Sequence, residues 1–259
     1  MMGALWTAAS GMRAQQLNLD VTSNNLANVN TTGFKRARAE FQDLMYRTIR
    51  DSGAPQSGSV VPSSIQVGMG VGPGAVQRIS SQGEFVQTEN STDLVIEGEG
   101  FFQVTRPDGT LAYTRDGSFR KDGNGQLMTG DGLLLSPNIS IPATAKDVVI
   151  GADGTVSVNI GGTLSSVGQI QLARFSNSAG LNAVGHNLLT PTAASGDAVT
   201  GVPQAEGFGS ILQGYTENSN VKVVEEMVNL IIAQRAYEAN SKSIQSADEM
   251  LGQANTLKR

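Results

Sequence analysis

Residues 23–36 read SNNLANVNTTGFKR. A helical pattern leads into this run, and the run is built to stop it. Asparagine and glycine tolerate the left-handed backbone that ends helices, and threonine loses side-chain freedom inside them. The helix is therefore expected to reach Leu26 and to meet Asn28 and Asn30 as left-handed residues. It then leaves through Thr31, Thr32 and Gly33, whose hydroxyls bond nearby backbone and whose glycine permits a reversal. Phe34 follows as an anchor for the exit. Alone this is an ordinary capping turn, and its meaning depends on what flanks it.

Upstream, Leu5, Ala9, Met12, Gln16, Leu19, Ser23 and Leu26 are spaced alternately by four and three. The same spacing returns near the other end in Met227, Leu230, Gln234, Tyr237, Ser241, Ile244, Asp248 and Leu251. Heptad stripes let helices pack along a shared seam; the polar members weaken it and fix its register. An internal helical hairpin and packing between subunits both satisfy the pattern. Val224, Val228, Ile231 and Ile232 add a second apolar face to the later run. Two apolar faces imply more than one neighbour, which favours oligomeric assembly. A single helix over 221–257 is roughly 55 Å long at ~1.5 Å per residue.

Between the two ends the pattern changes. FKRARAEFQDLMYRTIR, residues 34–50, is amphipathic and fits either a helix or an extended segment. The following stretch to Gly74 is rich in Ser, Gly and Pro, marking a loop or extended arm at about 46–75. Its glycines at 68, 70, 72 and 74 lack the spacing and the strand-to-helix setting of a dinucleotide loop. From about 90 to 205 the period becomes two, in short runs such as TDLVIEGEGFFQV and KDVVIGADGTVSVNI broken by Pro107-Asp108-Gly109 and Asp153-Gly154. These are hairpin signals, and a compact antiparallel β domain is expected. DGNGQL, residues 122–127, hints at a calcium loop, but Gln126 takes a ligand position and Leu133 stands where the bidentate Glu belongs, so a turn is expected.

Composition narrows the function. The chain has 259 residues, 31 of them glycine, net charge −5 and no cysteine. Both signs of charge are spread along it, so no basic patch for nucleic acid exists. Disulfide and thiolate-metal chemistry are ruled out. The single histidine, His186, leaves no material for a His-based triad or metal site, and no carboxylate pair is brought together by spacing. No catalytic, cofactor or metal site is expected. The N-terminus lacks the charged and apolar regions of a cleavable signal, and no run approaches ~18 apolar residues, so no direct membrane insertion is expected. A peptidoglycan-acting or carbohydrate-binding module is a weaker alternative, since the only tryptophan, Trp6, lies in the first helix.

Three long motifs carry a resemblance. SNNLANVNTTGFKR is similar to the N-terminal signature of the bacterial flagellar rod and hook axial proteins. GYTENSNVKVVEEMVNLIIAQRAYEANSKSIQSADEML, residues 214–251, resembles the signature at the other end of that family. STDLVIEGEGFFQVTRPDGTLAYTRDGSFRKDGNGQL, residues 91–127, resembles its β-domain motif. Length and the arm are most similar to the members that build the distal rod; proximal-rod or hook subunits are the alternative.

The resemblance implies an α+β fold in which long N- and C-terminal helices pair as a coiled coil around a central antiparallel β-rich domain. The implied segments are a helix over 1–33, a connector with the arm over 34–88, an outer β domain over 89–205, a return connector over 206–218 and a second helix over 219–259. It further implies export by the flagellar type III apparatus and polymerisation into a helical homopolymer crossing the periplasm. The implied partners are other rod subunits, the hook, and the peptidoglycan and outer-membrane ring proteins. Carried over to this chain, Asn24, Asn25, Leu26, Ala27, Asn28, Thr31, Thr32, Gly33 and Phe34 end the helix and set the joint. Asn220 is placed as the N-cap of the second helix. Leu5, Met12, Leu19, Met227, Leu230, Ile231, Gln234, Arg235, Tyr237, Asn240, Ile244 and Leu251 are placed in packing between subunits. An arm reaching neighbouring subunits is expected to keep the polymer straight and stiff.

Overall fold

The computed structural model describes residues 2–51, 55–56, 59–60, 63–145, 147–205 and 207–256. The tip of the expected arm, the outermost residues of both expected helices, residue 146 of the expected β span and residue 206 of the expected return connector lie outside these. The fold is α+β: α1 (Met2–Ala27) and α2 (Val223–Thr256) enclose, in sequence, a β-rich region whose paired strands run antiparallel. Two compact units result. One comprises Met1–Ala27, Ala37–Gln77 and Lys222–Arg259, and the other Asn28–Arg36 and Arg78–Val221.

In the first unit α1 packs on α2. A Cβ on Gly11 would lie 2.9 Å from Asn240 Nδ2, and Asn25 Nδ2 donates to Glu226 Oε2 at 3.2 Å. Moving from Gly11 to Asn25 along α1 matches moving the same number of residues back from Asn240 to Glu226. The helices are therefore antiparallel in one register. The fully buried members are small or polar: Ala8, Ala14, Thr22 and Asn25 on α1, with Glu226, Ala233 and Ala247 on α2. The heptad stripe on α2 is thus displaced. Leu230, Ile244 and Leu251 are half-buried as its spacing implies, but Met227, Gln234 and Asp248 are exposed while the residues just before them are buried. The Asn240 side chain fills the space where a Cβ on Gly11 would lie, and the innermost positions hold small or polar side chains while larger apolar residues are left outside.

The segment that fitted either helix or strand is strand. Ala37–Asp43 pairs with Val71–Arg78 and Tyr46–Arg50 with Ile65–Gly68, so the arm is an antiparallel hairpin rather than a loop. Its base meets α1, where Ser10 Oγ accepts the Val71 N–H at 3.3 Å. Every described residue of Tyr46–Arg50 is exposed.

In the second unit Phe101–Thr105 is the centre of a nine-stranded sheet, pairing with Leu111–Thr114, Leu134–Ser136 and Leu172–Arg174. Asp147–Ile150, Thr155–Ile160 and Thr163–Gln169 form a three-stranded sheet. Leu94, Val95 and Ile96 are all buried, as in strands covered on both faces, where alternation gives way to continuous apolar runs. One cluster including Ile96, Phe102, Val104, Phe119, Leu127, Ile141 and Leu172 fills the core, with Phe102 and Phe119 edge to face at 5.1 Å. The acidic turn at 122–127 is closed by its own carboxylate: Asp122 Oδ1 accepts the N–H groups of Asn124 and Gln126 at 2.9 and 2.7 Å. No helix among the described residues is long and apolar enough to cross a membrane.

Candidate functional site

The run that stops α1 has two sets of partners. In the first unit Asn25, 2% exposed, uses its amide as a strand uses its backbone. Its Oδ1 accepts the Ala37 N–H and its Nδ2 donates to the Ala37 carbonyl, both at 2.8 Å. The remaining amide hydrogen goes to Glu226. One side chain thus ties the end of α1 to the strand that follows it and to the start of α2. An amide with two donors and an acceptor suits this, whereas a carboxylate or a hydroxyl cannot supply the set.

In the second unit the chain leaves through two turns, with the Thr31 N–H on the Asn28 carbonyl at 3.2 Å and the Phe34 N–H on the Thr31 carbonyl at 3.3 Å. The expectation of left-handed residues at Asn28 and Asn30 is corrected: the left-handed residue is Gly33, φ +67°. A Cβ there would lie 2.7 Å from backbone atoms of both Arg115 and Asp116, so only glycine fits this approach. The Gly33 N–H donates to the Glu217 carbonyl at 2.8 Å, and Asn187 Nδ2 to the Thr32 carbonyl at 3.2 Å. Phe34 is half-buried.

Behind Gly33 lies a buried ionic cluster. Glu217 is fully buried; its Oε1 accepts from Lys35 Nζ and, at 2.9 Å, from the Gly83 N–H. Arg115 Nη1 stands 3.6 Å from Glu217 Oε2 and donates to the Ile96 carbonyl at 3.1 Å. One carboxylate therefore serves two cations. Burial lowers the Lys35 pKa from its ordinary value despite the opposing attraction of Glu217, and burial likewise lowers that of Arg115. Removing the carboxylate leaves two uncompensated cations in a dry site, whereas removing Lys35 leaves the Arg115–Glu217 pair.

Asn220 completes the assembly, and its expected role is corrected. α2 starts at Val223, and the Asn220 side chain is engaged elsewhere. Its Oδ1 accepts the Arg36 N–H at 2.7 Å and its Nδ2 donates to the carbonyls of Ile79 and Ser81 at 2.9 and 3.0 Å. Lys35 Nζ also donates to the Ser81 carbonyl at 2.8 Å. Segments 33–36, 79–83 and 217–220 are thus laced together by three side chains reaching backbone, and no helix cap is involved.

The remaining sequence candidates divide by exposure. Leu5, Met12, Leu19, Leu26, Leu230, Asn240, Ile244 and Leu251 are half-buried, whereas Asn24, Ala27, Met227, Ile231, Gln234, Arg235 and Tyr237 are exposed. Arg235 bonds Glu238 one turn on, at 3.0 Å. Lys35, Glu217 and Arg115 were not anticipated, because nothing in spacing marks charges that meet from positions so far apart. His186 Nδ1 lies 3.2 Å from Asp131 Oδ2 in an exposed turn. Among the described residues no group of three His, Cys, Asp or Glu is placed to hold a metal.

The arrangement is that of an assembly protein: segments fixed by buried bonds, with large apolar residues left on the surface. Known families agree. Residues 5–35 match the model described as flagella basal body rod protein, 95–158 that of the flagellar hook protein FlgE/F/G D1 domain, and 212–257 that of the flagellar basal body rod FlgEFG protein C-terminal. The flagellar basal-body rod protein FlgG of Borreliella burgdorferi is 52% identical over 264 residues, covering 100% of both chains. That of Caulobacter vibrioides is 52% identical over 261 residues, covering 99% of this chain and 100% of the relative. The flagellar hook protein FlgE of Helicobacter mustelae is 44% identical over 137 residues, 52% of this chain and 30% of that protein. The chain belongs to the FlgG family of flagellar basal-body rod proteins. It is a structural protein and not an enzyme.

Proposed function

We propose that this chain is a subunit of the flagellar distal rod, polymerising with copies of itself into a hollow drive shaft that carries motor torque to the hook and forms part of the export channel. On this reading α1 and α2 pair as a coiled coil in the inner tube, and the β-rich unit is the outer domain. The residues around Asn25 to Phe34 and the exposed face of α2 then serve assembly. Other rod subunits and the hook lie at its ends, the peptidoglycan and outer-membrane ring proteins lie around it, and the flagellar type III apparatus delivers it.

One observation carries this reading. Among the described residues of the helical unit, the only apolar side chains that are fully buried are alanines: Ala8, Ala14, Ala233 and Ala247. The same unit exposes Met45, Ile49, Met69, Val224, Val228, Ile231 and Ile232, each by 49% or more. Such a unit gains its apolar burial from neighbours, and its helices order on assembly. Full-length likeness to rod proteins, against partial likeness to a hook protein, supports rod over hook.

Electron microscopy of basal bodies from a strain lacking the gene tests it. Short rod stubs without outer rings or hook are the expected outcome. Complete rods and rings lacking only a hook would make the chain a hook subunit, and intact flagella would remove the axial assignment.

A further inference from the structure

The chain enters the β-rich unit twice. It enters first as the short strap Asn28–Arg36, whose neighbours Ala27 and Ala37 both belong to the helical unit, and then as Arg78–Val221. Polar bonds hold the strap. The Gly33 N–H goes to the Glu217 carbonyl at 2.8 Å, and the Arg36 carbonyl accepts the Ile79 N–H at 2.9 Å. Asn187 Nδ2 donates to the Thr32 carbonyl, and Asn220 Oδ1 accepts the Arg36 N–H. Lys35 Nζ donates to Glu217 and to the Ser81 carbonyl. The only fully buried side chain of the strap is the charged Lys35. Val29 and Phe34 are half-buried, and no strap residue joins the apolar clusters that fill the unit.

The seat beneath the strap has ties of its own. Tyr215–Glu217 pairs with Phe85–Gln87, and the Asn218 N–H donates to the Glu84 carbonyl at 2.9 Å. Glu217 Oε1 also accepts the Gly83 N–H, and its Oε2 faces Arg115 Nη1 at 3.6 Å. A buried charge stripped of every partner is costly. Here the departure of Lys35 returns an ammonium to water and leaves the carboxylate paired with Arg115. The strap can therefore lift while the core stays closed, as segments with few buried apolar contacts do in local openings.

We propose that Asn28–Arg36 is a latch, seating and leaving as one cooperative piece with Glu217 and Asn220 as its catch, while the β-rich core stays folded. Closed, it holds the residues that follow α1 against those that precede α2. The loop that pairing of α1 with α2 must close then shrinks from the whole β-rich region to a short tail on either side. Closing a shorter loop costs less entropy. The latch is a property of a single copy and does not rest on the rod reading.

Amide hydrogen exchange of the full chain, followed residue by residue by NMR, tests this. The Gly33, Arg36 and Ile79 amides are expected to share one opening and to exchange faster than the amides of Phe101–Thr105. Asn220→Ala removes the acceptor of the Arg36 N–H and touches neither of the other two. All three are nevertheless expected to speed up together, by about tenfold or more, with Phe101–Thr105 unchanged. No rise at Gly33 and Ile79 would show separate bonds rather than a latch. An equal rise at Phe101–Thr105 would show that the strap opens only with the core. Either result overturns the inference. Ser81→Ala removes only an exposed hydroxyl bonded to Asn220 Nδ2 at 3.0 Å, and it carries the test if Asn220→Ala does not fold. A shared rise of roughly threefold at the same three amides is expected, and an unequal or absent rise overturns the latch.

Discussion

Asn25 and Glu226, 201 positions apart, share a hydrogen bond of 3.2 Å where α1 ends and α2 begins. Both are at least nine-tenths buried, and the Asn25 amide is also committed to Ala37. Asn25→Asp sets a second carboxyl against Glu226 in this dry site. Like charge and burial raise its pKa above the ordinary carboxyl value, so the folded pair holds a proton that the unfolded chain releases. Assembly competence is then present in acid and lost as pH rises through the raised value. Pelletable polymer from the variant, compared at acidic and neutral pH, should show this rescue. Asn25→Ala should show none.

Glu217 faces Lys35 and Arg115, so removals at this cluster are unequal. Lys35→Met removes the Nζ hydrogen bonds to Glu217 and the Ser81 carbonyl but leaves the Arg115–Glu217 pair, and should cost about 1–3 kcal/mol. Glu217→Gln leaves two buried cations facing each other and should cost more. Urea unfolding of the full chain gives the order, and a larger loss for Lys35→Met would contradict it.

The same cluster has a pH signature. Burial lowers the folded pKa of Lys35 below 10.5, so on raising the pH the folded state sheds that proton before the unfolded chain does. In that window the unfolded state binds more protons, and stability rises with pH until the unfolded value is passed. Lys35→Met should abolish this alkaline rise in a series of melting curves.

Gly33 and Gly109 are both left-handed, at φ +67° and +80°, but only Gly33 abuts other backbone. Gly109→Ala should cost about 1 kcal/mol from conformation alone. Gly33→Ala adds the collision with Arg115 and Asp116 and should cost about 2–3 kcal/mol or more. Equal melting temperatures for the two variants would refute the steric account.

On the expected reach of the arm to neighbouring subunits, deleting about residues 50–68 should yield a more flexible polymer that no longer stays straight. Electron micrographs of straight, unchanged rods would sink this expectation.

What the sequence made legible follows from which signals are local. Helical periodicity placed α1 and α2, and alternation with Asp-Gly turns placed the strands between them. The stop at residues 28–33 was visible, but its mechanism was not. Gly33 is fixed by the backbone of Arg115 and Asp116, which no local pattern reveals. The seam of α2 was misplaced by one residue at alternate positions because hydrophobicity weights Met227 above Glu226. The close approach at Gly11 and Asn240 rewards small size, and Asn25 gives the Glu226 carboxylate a donor. Lys35, Arg115 and Glu217 left no sequence trace, since their pairing depends on three segments meeting. The hairpin was hidden behind Ser, Gly and Pro, although Ile65, Val67 and Met69 alternate along its second strand.

The helical unit is written in the chain as three separate pieces, with its first helix near one end and its second near the other. Residues of α1 meet partners that lie some two hundred positions later in the chain. A product that ends before α2 keeps the whole β-rich unit but lacks Asn240 and Glu226, the residues that Gly11 and Asn25 meet in the full chain. Pairing of α1 with α2 thus distinguishes chains that carry both helices from chains that carry only one.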